Sequence, residues 1–295
     1  MIIKNIISDN YFICGRMKSN YDKLTEKFGE QLNKVRGKVL DAAISLEELS
    51  EEADKLNEGK MLRPLFCFCI SRGEVDEETI NFAASIEIVH NASLIHDDLL
   101  DKSTVRRGQV SFPAREGANS ALLYGDSLMS EAALLCLEKC GAEKTKSLMK
   151  AVKDMCRGEL LQEQQKFCGA VSSDVYMKII SLKTASLFRT AAEGIRPESS
   201  KAGFAAEKCG SAFQISNDLE DTEADAAAGI YTLPYILACE SESLADVFGR
   251  HRVLAAGRGL ELLDEAKKTV LNCPEEFGEE LITFIRYLQE RLLGK

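Results

Sequence analysis

The sequence predicts an all-α protein from its few helix breakers, its lack of a strand pattern and its periodicity. Only five prolines interrupt the 295 residues, and tryptophan is absent. Few segments alternate apolar and polar residues as half-buried strands do. Apolar side chains recur instead at intervals of three and four residues, the spacing of a buried helix face. With 45% hydrophobic and 28% charged residues, the chain is expected to form one globular domain over residues 1–295.

Helical patterns follow one another along the chain, and we expect about ten helices. The clearest covers residues 79–100 (TINFAASIEIVHNASLIHDDLL), whose wide apolar face predicts burial on most sides. An apolar helix is expected to follow residues 59–64, and the last pattern breaks near Pro274. The other predicted helices are 21–49, 120–139, 143–167, 173–193, 202–224, 232–238, 243–255 and 259–293.

The charge and the apolar runs limit the partners and the location. A net charge of −10 argues against a nucleic-acid partner. No apolar run reaches the ~18–20 residues that cross a bilayer, and the first residues lack the pattern of a signal peptide. Most of the ten cysteines lie in apolar runs, where they act as small buried hydrophobes typical of a reducing compartment. We therefore expect a soluble cytoplasmic protein without a membrane span.

Two acidic clusters end long apolar helices. In the first, Asp97 and Asp101 flank Asp98 and stand four residues apart, so their carboxylates project from one helix face within reach of a common cation. The second comprises Asn217, Asp218 and Asp221. Each cluster alone could equally be a solvated helix end. If the two clusters face each other across a cavity, they would hold magnesium by a few oxygens and leave its other positions to water and a phosphorylated ligand.

Basic residues accompany both clusters. Lys60 and Arg63 stand three residues apart before an apolar helix, and Arg106 and Arg107 follow the first acidic cluster. Arginine pairs suit bidentate contact with phosphate. Surface solubility is the alternative explanation for any one of these side chains, but their recurrence around the acidic motifs favours a site for a phosphorylated substrate.

These motifs, in this order, resemble the trans-isoprenyl diphosphate synthase (polyprenyl synthase) family. The resemblance rests on GKMLRP (59–64), EIVHNASLIHDDLLDKSTVRRG (87–108), LLYGD (122–126), KTA (183–185), FQISNDLED (213–221) and TLP (232–234). It implies the all-α isoprenoid synthase fold, with helices around a central cavity, usually in a homodimer. It also implies condensation of isopentenyl diphosphate with an allylic diphosphate, using about two to three magnesium ions bound with the allylic substrate.

The resemblance assigns roles to individual residues. Asp97 and Asp101 correspond to magnesium ligands supported by Asp98, and the second metal motif falls on Asn217, Asp218 and Asp221. Arg106 corresponds to a contact of the allylic diphosphate. The pocket for isopentenyl diphosphate falls on Lys60, Arg63, His90 and Arg107. The residues near the departing diphosphate and the new cation are Lys183, Thr184 and Gln214.

Three departures from the family pattern bear on activity. Asn217 stands where the second motif usually begins with Asp, so the ligand there would be neutral. The family usually carries two lysines, each in a Gly-Lys pair, before TLP, whereas residues 222–231 (TEADAAAGIY) contain none. Pro113 replaces a histidine often found after RRG. Together these changes predict weaker stabilisation of the diphosphate.

The departures leave two other functions open. Asn217, Asp221 and Asp225 share one helix face, and this spacing resembles the magnesium triad of class I terpene cyclases, although a cyclase has no use for Lys60, Arg63 and His90. The second alternative is a partner or regulatory subunit of a heteromeric synthase. Such subunits commonly lose the first acidic motif, which is intact in this sequence.

Product length is predicted from the helix that precedes Asp97. In the family, the product grows along this helix, and the positions here are small or aliphatic: Ile86, Val89, Ala92 and Ser93. The first aromatic residue is Phe82, about 22 Å above Asp97 at ~1.5 Å per residue. This distance predicts a linear product of about C20 to C30, at ~5 Å per isoprene unit. Of the other histidines, His96 is expected to pack beside the acids and His251 to lie on the surface.

Overall fold

The computed structural model describes residues 18–44, 59–168, 171–241 and 247–294, and these are almost entirely helical. The predicted all-α class is therefore confirmed. The α-helices are α1 (Asn20–Lys27), α2 (Gly29–Ile44), α3 (Leu62–Ile70), α4 (Glu77–Leu100), α5 (Phe112–Glu116), α6 (Ala118–Cys140), α7 (Ala142–Gln165), α8 (Ser173–Ile180), α9 (Ser186–Ile195), α10 (Ser200–Ala227), α11 (Leu233–Glu240), α12 (Arg252–Leu271) and α13 (Glu279–Leu292). Two π-helical segments, Ser181–Ala185 and Val247–His251, lead directly into α9 and α12.

Helix α4 lies at the centre of the molecule. The Asp76 side chain caps its first turn by accepting a hydrogen bond from the backbone of Thr79 at 2.8 Å. Its side chains are buried on all sides along most of its length, as the apolar pattern predicts. It packs along α6 and against α2 and α3, while α10 packs along α12 and α9. The two acidic clusters therefore lie on the two longest buried helices of the described chain.

A small hairpin follows α4 and carries the arginine pair. Strand β1 (Val105–Arg106) pairs antiparallel with β2 (Gln109–Val110), with Val105 opposite Val110. Arg107 and Gly108 form the turn with φ of 51° and 77°. A two-residue turn with positive φ at both positions matches the twist of a hairpin. The two arginines have different neighbours, since Arg106 donates to Asp98 and the guanidinium of Arg107 lies beside Gly59.

Two helix boundaries differ from the sequence prediction. The predicted helix 21–49 is divided at Phe28, and residues 45–49 lie outside the described residues. The predicted break between 255 and 259 is wrong, because α12 runs through Gly257 and Gly259. A Cβ at Gly259 would lie 2.8 Å from Leu292, so glycine allows α13 to approach closely. The break near Pro274 is confirmed by the separation of α12 from α13.

His251 corrects another expectation. The sequence predicts a surface position, but only 3% of the residue is exposed, and its Nε2 lies 2.8 Å from the Ser241 hydroxyl. His96 is packed, as expected, but on the side of α4 that faces α6. A Cβ at Gly125 would lie 2.2 Å from its ring, and its Nε2 lies 3.3 Å from the Leu122 carbonyl. None of the helices that the structure describes has the length and apolar character needed to cross a membrane.

Candidate active site

The π-helical segment Ser181–Ala185 presents two of the predicted site residues, Lys183 and Thr184. A π turn widens the helix locally and occurs often at functional sites. Helix α7 passes very close to this segment at Gly158, where an added Cβ would lie 2.9 Å from the backbone nitrogen of Lys183. Glycine at 158 therefore allows α7 to hold the widened turn in place.

A cavity of about 160 Å³ lies beside this segment. It brings together five of the predicted site residues, Asp101, Lys183, Thr184, Gln214 and Asp218. These residues come from the end of α4, the π-helical segment and the middle of α10. The other lining residues are Gln162, Gln165, Val171, Tyr176, Ile179, Ile180, Asp225, Gly229, Ile230, Tyr231 and Thr232. The two acidic motifs thus contribute to one cavity, as the sequence predicts.

A chain of hydrogen bonds orients the polar wall of the cavity. The Thr184 hydroxyl donates to Oε1 of Gln214 at 2.7 Å, and Nε2 of Gln214 donates to Oδ1 of Asp218 at 2.7 Å. The Tyr176 hydroxyl donates to Oδ2 of Asp218 at 2.5 Å. Both oxygens of Asp218 therefore have fixed directions. Sequence reasoning missed Tyr176, because nothing in its local pattern distinguishes it from an ordinary core tyrosine.

The first acidic cluster is divided among different partners. Asp98 is buried, and both of its oxygens accept from Nε of Arg106, at 2.8 and 2.7 Å. The predicted contact of Arg106 with the allylic diphosphate would therefore use the other guanidinium nitrogens. Asp101 accepts from Lys166 at 2.9 Å. Asp97 is half-buried and is not among the residues that line the cavity.

The carboxyl groups around the cavity are held at raised pKa values. Burial raises the pKa of Asp97 to about 6, with Lys183 opposing the rise and Glu159 adding to it. Burial also raises the pKa of Asp218 to about 6, against the hydrogen bonds from Tyr176 and Gln214. For Asp225, burial and then the charges of Asp218 and Asp221 raise the pKa to about 7. Crowded carboxylates of this kind are hard oxygen donors that fit a divalent cation, whose charge would remove their repulsion.

Lys183 faces these acids and forms an ion pair with Glu159 of α7. Burial lowers the pKa of Lys183, but the charges of Asp97 and Glu159 outweigh burial, so the net shift is upward. Lys183 therefore stays charged at neutral pH. Glu159 was not singled out from the sequence, although its position one residue after Gly158 places it beside the same close contact.

Only some side chains of the second acidic motif face the cavity. Asp218 lines it, and Asp225 does so two turns later on the same face of α10. Asn217 faces away, and its Oδ1 accepts from Nη2 of Arg291 at 3.0 Å. Asp221 is exposed. Metal binding by Asn217 and Asp221 stays a prediction, and the geometry adds Asp225 to the candidates.

A second group of cations surrounds the middle of α4. Arg63 is 8% exposed, and its Nε has no hydrogen-bond partner among the residues that the structure describes. Burial lowers the pKa of Arg63 to about 10, with Glu87 opposing this and Arg107 adding to it. Burial, and then Arg63 and Arg107, hold the pKa of His90 well below its usual value. The predicted residues Arg63, His90 and Arg107 are thus neighbours in space.

Two further features complete this cationic group. Lys60 lies at its exposed edge, and its carbonyl accepts from the Tyr21 hydroxyl at 3.0 Å. Glu87 was missed from the sequence and is 4% exposed. Burial raises its pKa, against the charges of Arg63 and Arg107. The incompletely paired Arg63 and the uncharged His90 leave hydrogen-bond donors for an anion.

The residues predicted to set product length lie along α4 above Asp97. Ile86, Val89 and Ala92 are fully buried, and Ser93 is half-buried with its hydroxyl bonded to the His90 carbonyl at 2.8 Å. Phe82 packs against α9, where an added Cβ on Gly194 would lie 2.3 Å from its ring. The aromatic residue at the top of this row is therefore part of the packed core.

Comparisons with known proteins agree on one family. The model of the polyprenyl synthetase family matches residues 46–247. Octaprenyl diphosphate synthase of Escherichia coli K12 is 29% identical over 225 residues, which cover 70% of this chain and 68% of that protein. The all-trans-nonaprenyl-diphosphate synthase (geranyl-diphosphate specific) of Rhodobacter capsulatus is 33% identical over 177 residues, 57% of this chain and 54% of that one.

Solved structures show the same architecture. The polyprenyl synthase of Caulobacter crescentus CB15, complexed with calcium and isoprenyl diphosphate, superposes with a TM-score of 0.79 at 25% identity, covering 95% of this chain and 99% of that one. A decaprenyl diphosphate synthase of Rhodobacter capsulatus gives 0.80 at 24% identity, covering 92% and 99%. The second comparison shows the fold alone.

Proposed function

Because the chain belongs to the polyprenyl synthetase family, we propose that it is a magnesium-dependent prenyltransferase that condenses isopentenyl diphosphate with an allylic diphosphate. One observation carries the proposal: Asp101 from α4 and Asp218 and Asp225 from α10 line the same cavity as Lys183. A neighbouring cationic group supplies the place for a second diphosphate. A cyclase, which takes one diphosphate substrate, would have no use for that second group.

The metal ligands we propose are Asp97 and Asp101 on one side and Asp218 and Asp225 on the other. Their oxygens suit magnesium, which is held in proteins by a few carboxylates together with substrate phosphates and water. When bound, the metal ions would neutralise the charge that develops on the departing diphosphate. Tyr176 and Gln214 hold the carboxylate of Asp218 in its direction before any ion arrives.

The reaction begins as the allylic carbon–oxygen bond breaks and its electron pair leaves with the diphosphate. Lys183, charged and half-buried, stabilises that leaving group from the π-helical segment. The double bond of isopentenyl diphosphate then forms the new carbon–carbon bond, and the released diphosphate takes the proton lost in closing the new double bond. Thr184 and Gln214 lie beside this point with their polar atoms already paired, because the Thr184 hydroxyl donates to Oε1 of Gln214 and Nε2 of Gln214 donates to Asp218. They therefore offer little nucleophilic competition with the isopentenyl double bond.

Isopentenyl diphosphate would bind at Arg63, His90 and Arg107, with Lys60 at the edge. Arg63 stays charged, since its lowered pKa of about 10 is still well above neutrality. His90 is neutral at pH 7, because its pKa is held well below the usual value, and so it acts as a hydrogen-bond donor without adding charge. In this cationic group, the arginines would therefore determine the selectivity for a diphosphate substrate.

We propose a linear product of at least C20. The length of α4 above Asp97 supports about C20 to C30 at ~1.5 Å of helix per residue. The relatives named octaprenyl and all-trans-nonaprenyl diphosphate synthase favour a longer chain. A product longer than about C30 would have to pass Phe82. The two predicted lengths therefore differ in whether the product extends beyond this side chain.

A homodimer is the assembly we propose. Helix α6 carries large apolar side chains that are half to two-thirds exposed: Leu123 at 67%, Leu134 at 51% and Leu137 at 50%. They recur at helical spacing along one side of the helix. Covering such a row by the same row of a second copy removes it from water. A different prenyl synthase chain as partner is the alternative, and the mass of the purified complex separates the two.

The function is tested by incubating the purified chain with radiolabelled isopentenyl diphosphate, magnesium and allylic primers of increasing length. Elongated, acid-labile products that require both substrates support the proposal. Asp97→Ala is the matched inactive variant and should fold normally without turnover. Release of diphosphate from an allylic substrate alone, with a cyclic hydrocarbon as product, would establish the cyclase instead. Turnover only after addition of a second synthase subunit would indicate a regulatory chain.

A further inference from the structure

Lys166 follows the last residue of α7 and contacts Asp101, which lines the cavity. Its Nζ lies 2.9 Å from Oδ1 of Asp101, and it also forms an ion pair with Glu163 one turn earlier. Only 15% of its side chain is exposed. The ammonium group of Lys166 therefore contacts a proposed metal ligand.

The backbone after Lys166 is fixed against the other side of the cavity. Phe167 adopts a left-handed conformation with φ of 59°, which is uncommon for an aromatic residue. Its amide donates to the carbonyl of Gly229 at 3.0 Å. Its ring lies directly over Gly229, where an added Cβ would lie 2.6 Å from it. The contact with Gly229, which has φ of +78°, thus fixes the backbone next to Lys166 and with it the direction of the Lys166 side chain.

The residues that line the cavity carry more negative than positive charge. Residues 222–231, which close the cavity after the second acidic motif, contain Glu223 and Asp225 but neither lysine nor arginine. In the described part of the chain, Lys183 and Lys166 are the ammonium groups that pair with acids around this cavity. Lys183 lines the cavity from the π-helical segment, and Lys166 contacts the lining residue Asp101 from the end of α7.

We propose that Lys166 binds the diphosphate of the allylic substrate, supplying from the end of α7 the cation that residues 222–231 lack. The inference rests on the proposed function of the same cavity. If Asp101 held a metal ion, its carboxylate would be less available to Lys166, and the ammonium group would be free to contact a phosphate oxygen of the allylic substrate.

The alternative is a purely structural ion pair that ties α7 to the end of α4. The two roles differ in what they predict for a small anion. If Lys166 contacts the diphosphate, its substitution must change the affinity for inorganic diphosphate. A structural tie between Lys166 and Asp101 would change the melting temperature and leave that affinity as it is.

The experiment measures binding of inorganic diphosphate with excess magnesium by calorimetry, in the wild type, Lys166→Met, Lys166→Gln and Lys166→Arg. Lys153→Met, which removes an exposed lysine from the same helix, controls for net charge. Loss of a charge-assisted contact should raise the Kd about 10-fold or more in Lys166→Met and Lys166→Gln. Lys166→Arg should stay within about threefold, as should Lys153→Met. If all four variants bind diphosphate like the wild type, the proposal is wrong.

A kinetic measurement separates this inference from the proposed function. In an active enzyme, Lys166→Met should raise the KM for the allylic substrate and leave the KM for isopentenyl diphosphate unchanged. An equal rise in both would contradict the assignment to the allylic site. If the wild type shows no prenyl transfer at all, the proposed function fails, while the calorimetric comparison still decides whether Lys166 binds a diphosphate.

Discussion

The hydroxyl of Tyr176 donates a hydrogen bond to Oδ2 of Asp218 across 2.5 Å, joining α8 to α10 at the wall of the cavity. Nε2 of Gln214 donates a hydrogen bond to the other oxygen of Asp218, so two donors set the direction of one carboxylate. Donors of this kind orient a metal ligand without touching the metal. Tyr176 is therefore a positioning residue for the proposed magnesium site.

Removing the hydroxyl of Tyr176 should weaken metal binding. In Tyr176→Phe, one oxygen of Asp218 loses its donor, and the magnesium concentration that gives half-maximal rate should rise about 10-fold. Titration of the initial rate with magnesium measures this. Tyr124→Phe is the control, because it also removes a hydroxyl from a buried ring, one that donates to the Ala43 carbonyl at 3.1 Å. An unchanged magnesium requirement in Tyr176→Phe would show that Asp218 needs no positioning.

Asn217→Asp tests the neutral residue of the second motif. Asn217 now accepts from Nη2 of Arg291 at 3.0 Å and faces away from the cavity, so a carboxylate at 217 adds a charged ligand one turn from Asp221 only by turning away from Arg291. We expect a lower magnesium requirement or a higher rate, measured in the same titration. Arg291→Met combined with Asn217→Asp controls for the ion pair. Lower activity at every magnesium concentration would mean that the asparagine itself is the functional ligand.

Magnesium binding should strengthen as the pH rises from 5 to 8. Burial raises the pKa of Asp97 and Asp218 to about 6 and that of Asp225 to about 7. Below these values the folded protein holds protons that a metal ion must displace, and above them it does not. Calorimetry with magnesium and inorganic diphosphate should show an affinity that rises through pH 6–7 and then levels off. Asp225→Asn should shift the midpoint of this rise downward, and a pH-independent affinity would contradict the ligand set.

A row of single substitutions along α4 tests the direction of chain growth. Phenylalanine at Ser93, Ala92, Val89 or Ile86 should stop the product progressively later, because each position lies farther from Asp97. Ala92→Phe should shorten the product by at least one isoprene unit, as measured by chromatography of the dephosphorylated products. Chain length that is the same in all four variants would show that the product follows another path. A wild-type product of C15 with excess isopentenyl diphosphate would contradict the prediction of C20 or longer.

The sequence was sufficient for the all-α class, the family and most of the residues proposed for the site. Apolar periodicity predicted α4 nearly to the residue, since the spacing of buried positions is a property of one helix. The family followed from the order of the motifs from GKMLRP to TLP, because that order is a property of the linear chain. The i,i+4 spacing likewise placed Asp97 and Asp101 together, because that relationship needs no knowledge of any other helix.

The tertiary structure decided which neighbours face one another. The sequence could not show that Asn217 turns to Arg291 while Asp225 turns to the cavity, because a helix face acquires its partner only when another helix packs on it. Tyr176 and Asp218 are 42 residues apart, and Lys166 and Asp101 are 65 apart, so their contacts depend on how α7, α8 and α10 meet the end of α4. The raised pKa values depend on the same packing, because burial and charge at one carboxyl add up over side chains from several helices.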